Sequence, residues 1–194
     1  MRRRTRAVRG IAQSKSDRWT FSGRLIRDQI PRAGARATLT YRFLPVLTGG
    51  LEYNPRADKV SPLANWLAVE ETPRRPAIIA GTSSDRIGTP SGQSFYVTAS
   101  KNLKRETGLP IAPYAGLAYG TYEDRLRVIG GLNIGFTESF SALVVYDGVN
   151  YHPLLNYAWR RHTFSFLLVD RRDPGLSYSV TFGGRPAQAG EKKN

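Results

Sequence analysis

The segment GLSYSVTF at 175–182 alternates strictly. Leu176, Tyr178, Val180 and Phe182 fall on one face of an extended chain, and Ser177, Ser179 and Thr181 on the other. Val128 to Phe136 repeats the pattern, with Val128, Leu132, Ile134 and Phe136 on one side and Ile129, Gly131, Asn133 and Gly135 on the other. Further β-rich runs, among them RATLTYRFL, ANWLAV, PAIIAGT, SFYVTAS, YAGLAYGT, FSALVVYD, HPLLNYAW and TFSFLLV, lie between turn signals such as YNPRAD, GTPSGQ, DGVN and RRDPG. Gly, Pro, Asn and Asp dominate those connections because their backbone preferences suit tight turns. No amphipathic helical pattern interrupts the series.

Charge is the second pattern. No Asp, Glu, Lys or Arg occurs in 76–84, 87–100, 107–122, 128–137, 139–146, 148–159, 162–169 or 174–184. A soluble barrel or sandwich turns one face of each strand to water, where Lys, Glu and Arg are common. Here the second face carries Ser, Thr, Gly, Asn and Tyr. That suits a strand crossing a bilayer, because a charge on the lipid side near the midplane costs about 2–4 kcal/mol, whereas small polar residues suit a lumen. Tyr119, Tyr122, Tyr146, Tyr151, Trp159 and Phe182 fall near strand ends, where an interfacial girdle would lie.

The predicted fold is therefore all-β, an antiparallel up-and-down meander closed as a transmembrane-type β-barrel of about 10–12 strands. The barrel is expected over 18–184. Residues 1–17 are expected to form a basic, disordered N-terminal segment, and 185–194 a flexible C-terminal tail. Residues 19–54 are the part where strand boundaries are least distinct, because Arg24, Arg27 and Arg42 interrupt them. With Tyr41 and Phe43 outward, Arg42 points inward. Arg42, Asn133, Ser177, Ser179 and Thr181 are the lumen-facing candidates.

The 194 residues carry a formal charge of +14, from 29 Lys+Arg against 15 Asp+Glu. Residues 1–36 hold eleven basic and two acidic side chains, so most of the excess is local. A basic arm for nucleic acid is one reading of that segment, and a solvated tail the plainer one, so no nucleic-acid partner is expected. The start, MRRRTRAVRGIAQSKSDRW, has no apolar core of a secretory signal. With no cysteine, disulfides, thiolate metal sites and cysteine nucleophiles are excluded.

Little catalytic chemistry is legible. His152 and His162 are the two histidines, and Asp147, Asp170 and Asp173 read as turn formers, so no metal and no cofactor is expected. His162 and Ser165 are three apart, which on a regular strand sends them to opposite faces. His162 with Asp170 or Asp173 across a hairpin is the remaining constellation. GTSSDRIG lacks the Gly-Lys-Ser/Thr ending of a phosphate loop. Arg160, Arg161, Arg171 and Arg172 are candidates for anion binding at a membrane interface, as paired guanidiniums suit lipid phosphate or an anionic polysaccharide. The chain is expected not to be an enzyme.

PAIIAGTSSDRIGTPSGQSFYVTASKNL, PYAGLAYG, RVIGGLNIGFTESFSALVVYDGVNYHPLLNYAW and HTFSFLLVDRRDPGLSYSVTF resemble bacterial outer-membrane β-barrels of the YjbH-like, porin-like kind. The likeness covers roughly 76–182 and rests on hairpin cadence. It implies a location in the outer membrane, membrane lipid and a polysaccharide or small anionic solute as partners, and a role as a pore or envelope scaffold in exopolysaccharide production or export. The rival expectation is a soluble β-barrel or sandwich that binds an apolar ligand, or nucleic acid through its basic arm.

Overall fold

Among the described residues twelve strands follow one another: β1 (Trp19–Ile26), β2 (Ala35–Leu44), β3 (Leu47–Asn54), β4 (Lys59–Val69), β5 (Ala77–Ser84), β6 (Gln93–Ser100), β7 (Ile111–Gly120), β8 (Arg125–Gly135), β9 (Phe140–Tyr146), β10 (Tyr151–Trp159), β11 (His162–Val169) and β12 (Asp173–Phe182). The computed structural model describes residues 17–27 and 30–183. The expected N-terminal segment and C-terminal tail lie almost wholly outside those residues. Each strand pairs antiparallel with its sequence neighbours, and β1 pairs with β12, so the sheet closes as a barrel. The seam is in full register from Trp19↔Phe182 to Ile26↔Gly175. Two short helical turns, α1 (Pro31–Gly34) and α2 (Lys104–Thr107), sit in connections.

The ambiguous first third resolves into β1, β2 and β3. The interruption at Arg42 coincides with a register shift between Arg42 and Leu44 against β3, which breaks the alternation there. Short connections keep the meander tight. Arg160 (φ 54°), Asp170 (φ 50°) and Arg171 (φ 59°) adopt left-handed backbone at two of them, and Gly148 (φ 94°) supplies the same conformation in the DGVN hairpin.

Large apolar side chains are exposed on every strand but β5. They include Phe21, Leu39, Leu51, Trp66, Val97, Leu117, Val128, Phe140, Leu155, Phe166 and Leu176. Leu176 is 65% exposed, while Thr181, on the opposite face of the same strand, is 1% exposed. The arrangement is inside-out relative to a soluble barrel, for Arg32, Glu52, Asn54, His152, Asn156 and Thr163 are buried. Gly23 and Ala37 break the outer apolar surface at a depression of about 800 Å³ that Leu25, Leu155, Phe164 and Leu176 also line.

Candidate functional site

Strand direction divides the connections between two rims. The near rim holds the ends of β1 and β12 and the turns at 45–46, 70–76, 101–110, 136–139 and 160–161. The far rim holds 27, 30–34, 55–58, 85–92, 121–124, 147–150 and 170–172.

The far rim is where charge enters the interior. Arg24 and Arg36 are register partners on β1 and β2. Both lie on the face opposite Phe21 and Leu25, because side chains alternate. Glu52 on β3 is 1% exposed, and its carboxylate accepts from Arg36 Nη1 (3.2 Å), Asn54 Nδ2 (3.0 Å) and Ser84 Oγ (2.6 Å). Three donors to one carboxylate make its burial tolerable.

Pro31 opens α1 at a position where its missing N–H costs nothing, and the turn delivers Arg32 to the barrel mouth. Arg32 Nε donates to the Thr89 carbonyl (2.6 Å), and Nη2 donates to the carbonyls of Asp85 (3.0 Å) and Arg86 (2.7 Å) and to Thr89 Oγ1 (2.6 Å). One buried guanidinium thus binds α1 to the 85–92 loop. Ile87 of that loop packs with Leu154 against Ile26, Leu167 and Val169, the one apolar cluster of buried residues among those described.

Around this cap the loops are tied electrostatically. Glu123 accepts from Arg86 and from Arg127 Nη2 (2.6 Å), and those hydrogen bonds, Arg86 first, pull its carboxyl down to about 2. Asp85 accepts from the backbone N–H of Arg86 (2.8 Å) and Tyr122 (3.1 Å). Burial pushes the Asp147 carboxyl up, but hydrogen bonds from His152 and from the Asn150 and Val149 amides outweigh it and hold the group below its ordinary range.

His152 is 4% exposed and has both ring nitrogens engaged: Nδ1 accepts from the Asp170 backbone N–H (3.1 Å) and Nε2 faces Asp147 Oδ2 at 3.0 Å. An accepting Nδ1 leaves the proton on Nε2, so the pair staples two hairpins and has no nitrogen left to activate a hydroxyl.

Deeper in the lumen two tyrosines lie over glycines of a neighbouring strand. A Cβ on Gly81 would come within 2.6 Å of the Tyr96 ring, and one on Gly131 within 2.5 Å of the Tyr114 ring. Tyr96 Oη reaches Asn65 Oδ1. Asn156 receives a bond from Ser165 Oγ (2.7 Å). At the near rim, Asp17 is buried; its carboxylate accepts from Thr181 Oγ1 (3.1 Å) and pairs with Arg161 (3.4 Å), and its carbonyl accepts from Arg42.

The residues singled out from sequence are distributed accordingly. Asn133, Ser177, Ser179 and Thr181 share the inner face, and the Asn133 Oδ1 is buried with no partner. Arg160 and Arg161 stand at the near rim and Arg171 and Arg172 at the far one, so the four do not form one site. Arg160 lies 5.3 Å over the Trp159 ring. His162 is not paired with Asp170 or Asp173, which lie beyond the opposite end of β11; its Nδ1 meets Tyr178 Oη at 2.8 Å on the outer face. Ser165 is on the inner face, so those two are indeed apart. No group of three or more metal-ligating side chains occurs among the described residues.

Sequence reasoning passed over Arg32, Arg36 and Glu52, noted Arg24 only as an interruption of its strand, and weighed His152 only as a metal ligand. A signal existed for Glu52, which stands between exposed Leu51 and Tyr53, and for Arg24, which adjoins exposed Leu25 and lies three residues from exposed Phe21, so that parity turns both charges inward. Arg32 had none, because its partners are 53 to 57 residues away. No protein-family model matches the chain, and no curated protein matches it.

Proposed function

We propose that the protein is an outer-membrane β-barrel of a bacterial cell envelope, with a narrow polar lumen suited to small anionic solutes and capped at one end by its own loops. The observation that carries this reading is the inverted distribution of polarity, with apolar side chains outward on almost every strand and guanidinium, carboxylate and amide groups inside. Water would wrap such a surface at great cost, since exposed apolar patches beyond a few hundred Å² are rare on soluble monomers. Hydrocarbon would wrap it at none.

Tyr96 and Tyr114 lie against the inner wall, and α1 and the 85–92 loop are joined at the far mouth, so the barrel is read as a selective passage rather than a wide pore. The resemblance of 76–182 to YjbH-like barrels extends the proposal to exopolysaccharide production or export. Refolding the full chain into detergent micelles or lipid vesicles tests it. A band that migrates faster unboiled than boiled, and appears only with detergent or lipid, is the expected result. A folded, detergent-free monomer in gel filtration overturns the membrane reading in favour of a soluble barrel.

A further inference from the structure

The far-rim interior holds a partly open cavity of about 190 Å³ whose wall includes Arg24, Arg32 and Arg36. The volume equals roughly six waters at about 30 Å³ each, room for one hydrated polyatomic ion. Of the three guanidiniums, Arg36 is paired with Glu52. Arg32 spends Nε and Nη2 on loop carbonyls and a hydroxyl, none of them charged, so its charge is solvated but not neutralised. Arg24 has no carboxylate within ion-pair distance among the described residues, and its Nε is buried without a hydrogen-bond partner.

The other charged groups on the wall do not supply the missing anion. Asp85 and Asp147 accept from backbone amides, Asp147 also from His152, and Arg86 is matched by Glu123. Arg24, Arg32, Arg36 and Arg86 against Glu52, Asp85 and Asp147 leave the wall with an excess of one positive charge, and Arg24 is in no ion pair among the described residues. A buried, unpaired guanidinium is costly, and chains keep such groups where something binds them.

We infer that this cavity is a binding site for a tetrahedral oxyanion of the phosphate class, held by Arg24, Arg32 and Arg36. Charge and geometry agree on the class. The net positive wall calls for an anion, and guanidiniums delivered from β1, α1 and β2 can each take a separate oxygen, which a planar carboxylate with two oxygens cannot offer. The inference deepens the proposal of an anion-handling lumen and rests on it, but not on which membrane surrounds the barrel.

Isothermal titration of the refolded full chain with inorganic phosphate, at fixed ionic strength against chloride, decides it. Saturable, stoichiometric heat is expected for the wild type. Arg24→Gln, which removes the guanidinium with no ion pair, is expected to keep the heat-modifiable gel band and bind phosphate at least about tenfold more weakly. Replacing the exposed pair Arg171 and Arg172 with Gln is expected to change nothing. A hexose phosphate titrated in parallel separates the two sources: binding of phosphate alone identifies the free ion, and binding of both identifies the phosphate group of a larger solute.

No saturable heat with either compound, from a sample whose gel shift shows the closed barrel, overturns the inference. So does phosphate binding that Arg24→Gln leaves intact or that the Arg171/Arg172 variant abolishes. Should the chain fold without detergent, the same titration still decides the site while the membrane reading alone falls.

Discussion

Arg32 and Thr89, 57 residues apart, are joined twice: Nε donates to the Thr89 carbonyl and Nη2 to its hydroxyl, each at 2.6 Å. This double bond between side chain and loop is the latch of the far rim. Arg32→Ala strips a charged donor from three carbonyls and a hydroxyl, and is expected to destabilise the barrel by on the order of 2–4 kcal/mol. Hydrogen exchange should quicken in 85–92 first. Arg32→Lys should rescue little, since one ammonium cannot reproduce the planar fork.

The tyrosine–glycine pairs make a packing prediction. Gly131→Val places methyl groups where the Tyr114 ring lies, with an expected loss of about 1–3 kcal/mol in urea unfolding. Combining it with Tyr114→Ala should cost less than the sum of the two single changes, because the clash disappears with the ring.

Parity along the strands makes a sharper one. Val144 lies on the outer face beside Leu132 and Pro153. Val144→Arg should lower the yield of heat-modifiable barrel in vesicles, at a cost of about 2–4 kcal/mol if the site is near the midplane. Ser177→Asp, inward and opposite Arg24 in register, should insert normally. Equal yields from both would remove the case for lipid outside.

The acid limb of stability belongs to the far-rim loops. The Glu123 carboxyl, ordinarily near 4.5, is held at about 2 in the folded protein, so its contribution is complete above the ordinary value and fades as pH falls towards 2. Asp147, also held low, acts in the same direction. Exchange of amides in 121–124 should therefore rise between about pH 4.5 and 2, and Glu123→Gln should flatten that dependence.

How much of this was legible beforehand follows from the range of each interaction. Alternation in 175–182 and 128–136 is a property of neighbouring residues, so the two faces could be read from the chain alone, and the observed twelve strands fall within the expected count. The interior cluster could not. Arg24 and Arg36 become neighbours only once β1 and β2 are aligned, and Arg32 acquires meaning only when the 85–92 loop folds over it. His152 meets Asp147 across one turn, yet its second partner, the Asp170 amide, comes from another hairpin. His162 misled for the same reason: its aspartates are near in sequence but separated by the length of β11.

The seam between β1 and β12 carries a last implication, for how the molecule assembles. Ser22 and Ser179 meet there across 157 positions, whereas every other strand pair is joined by a short connection. Hairpins can zip one after another with little entropy lost per step, but the final join fixes nearly the whole polypeptide at once. Until it forms, two bare edges stand ready to recruit strands from other molecules. The interval before closure is thus the time at which this protein most needs a chaperone, and sequence changes at the seam should alter how much aggregates before they alter how stable the finished ring is.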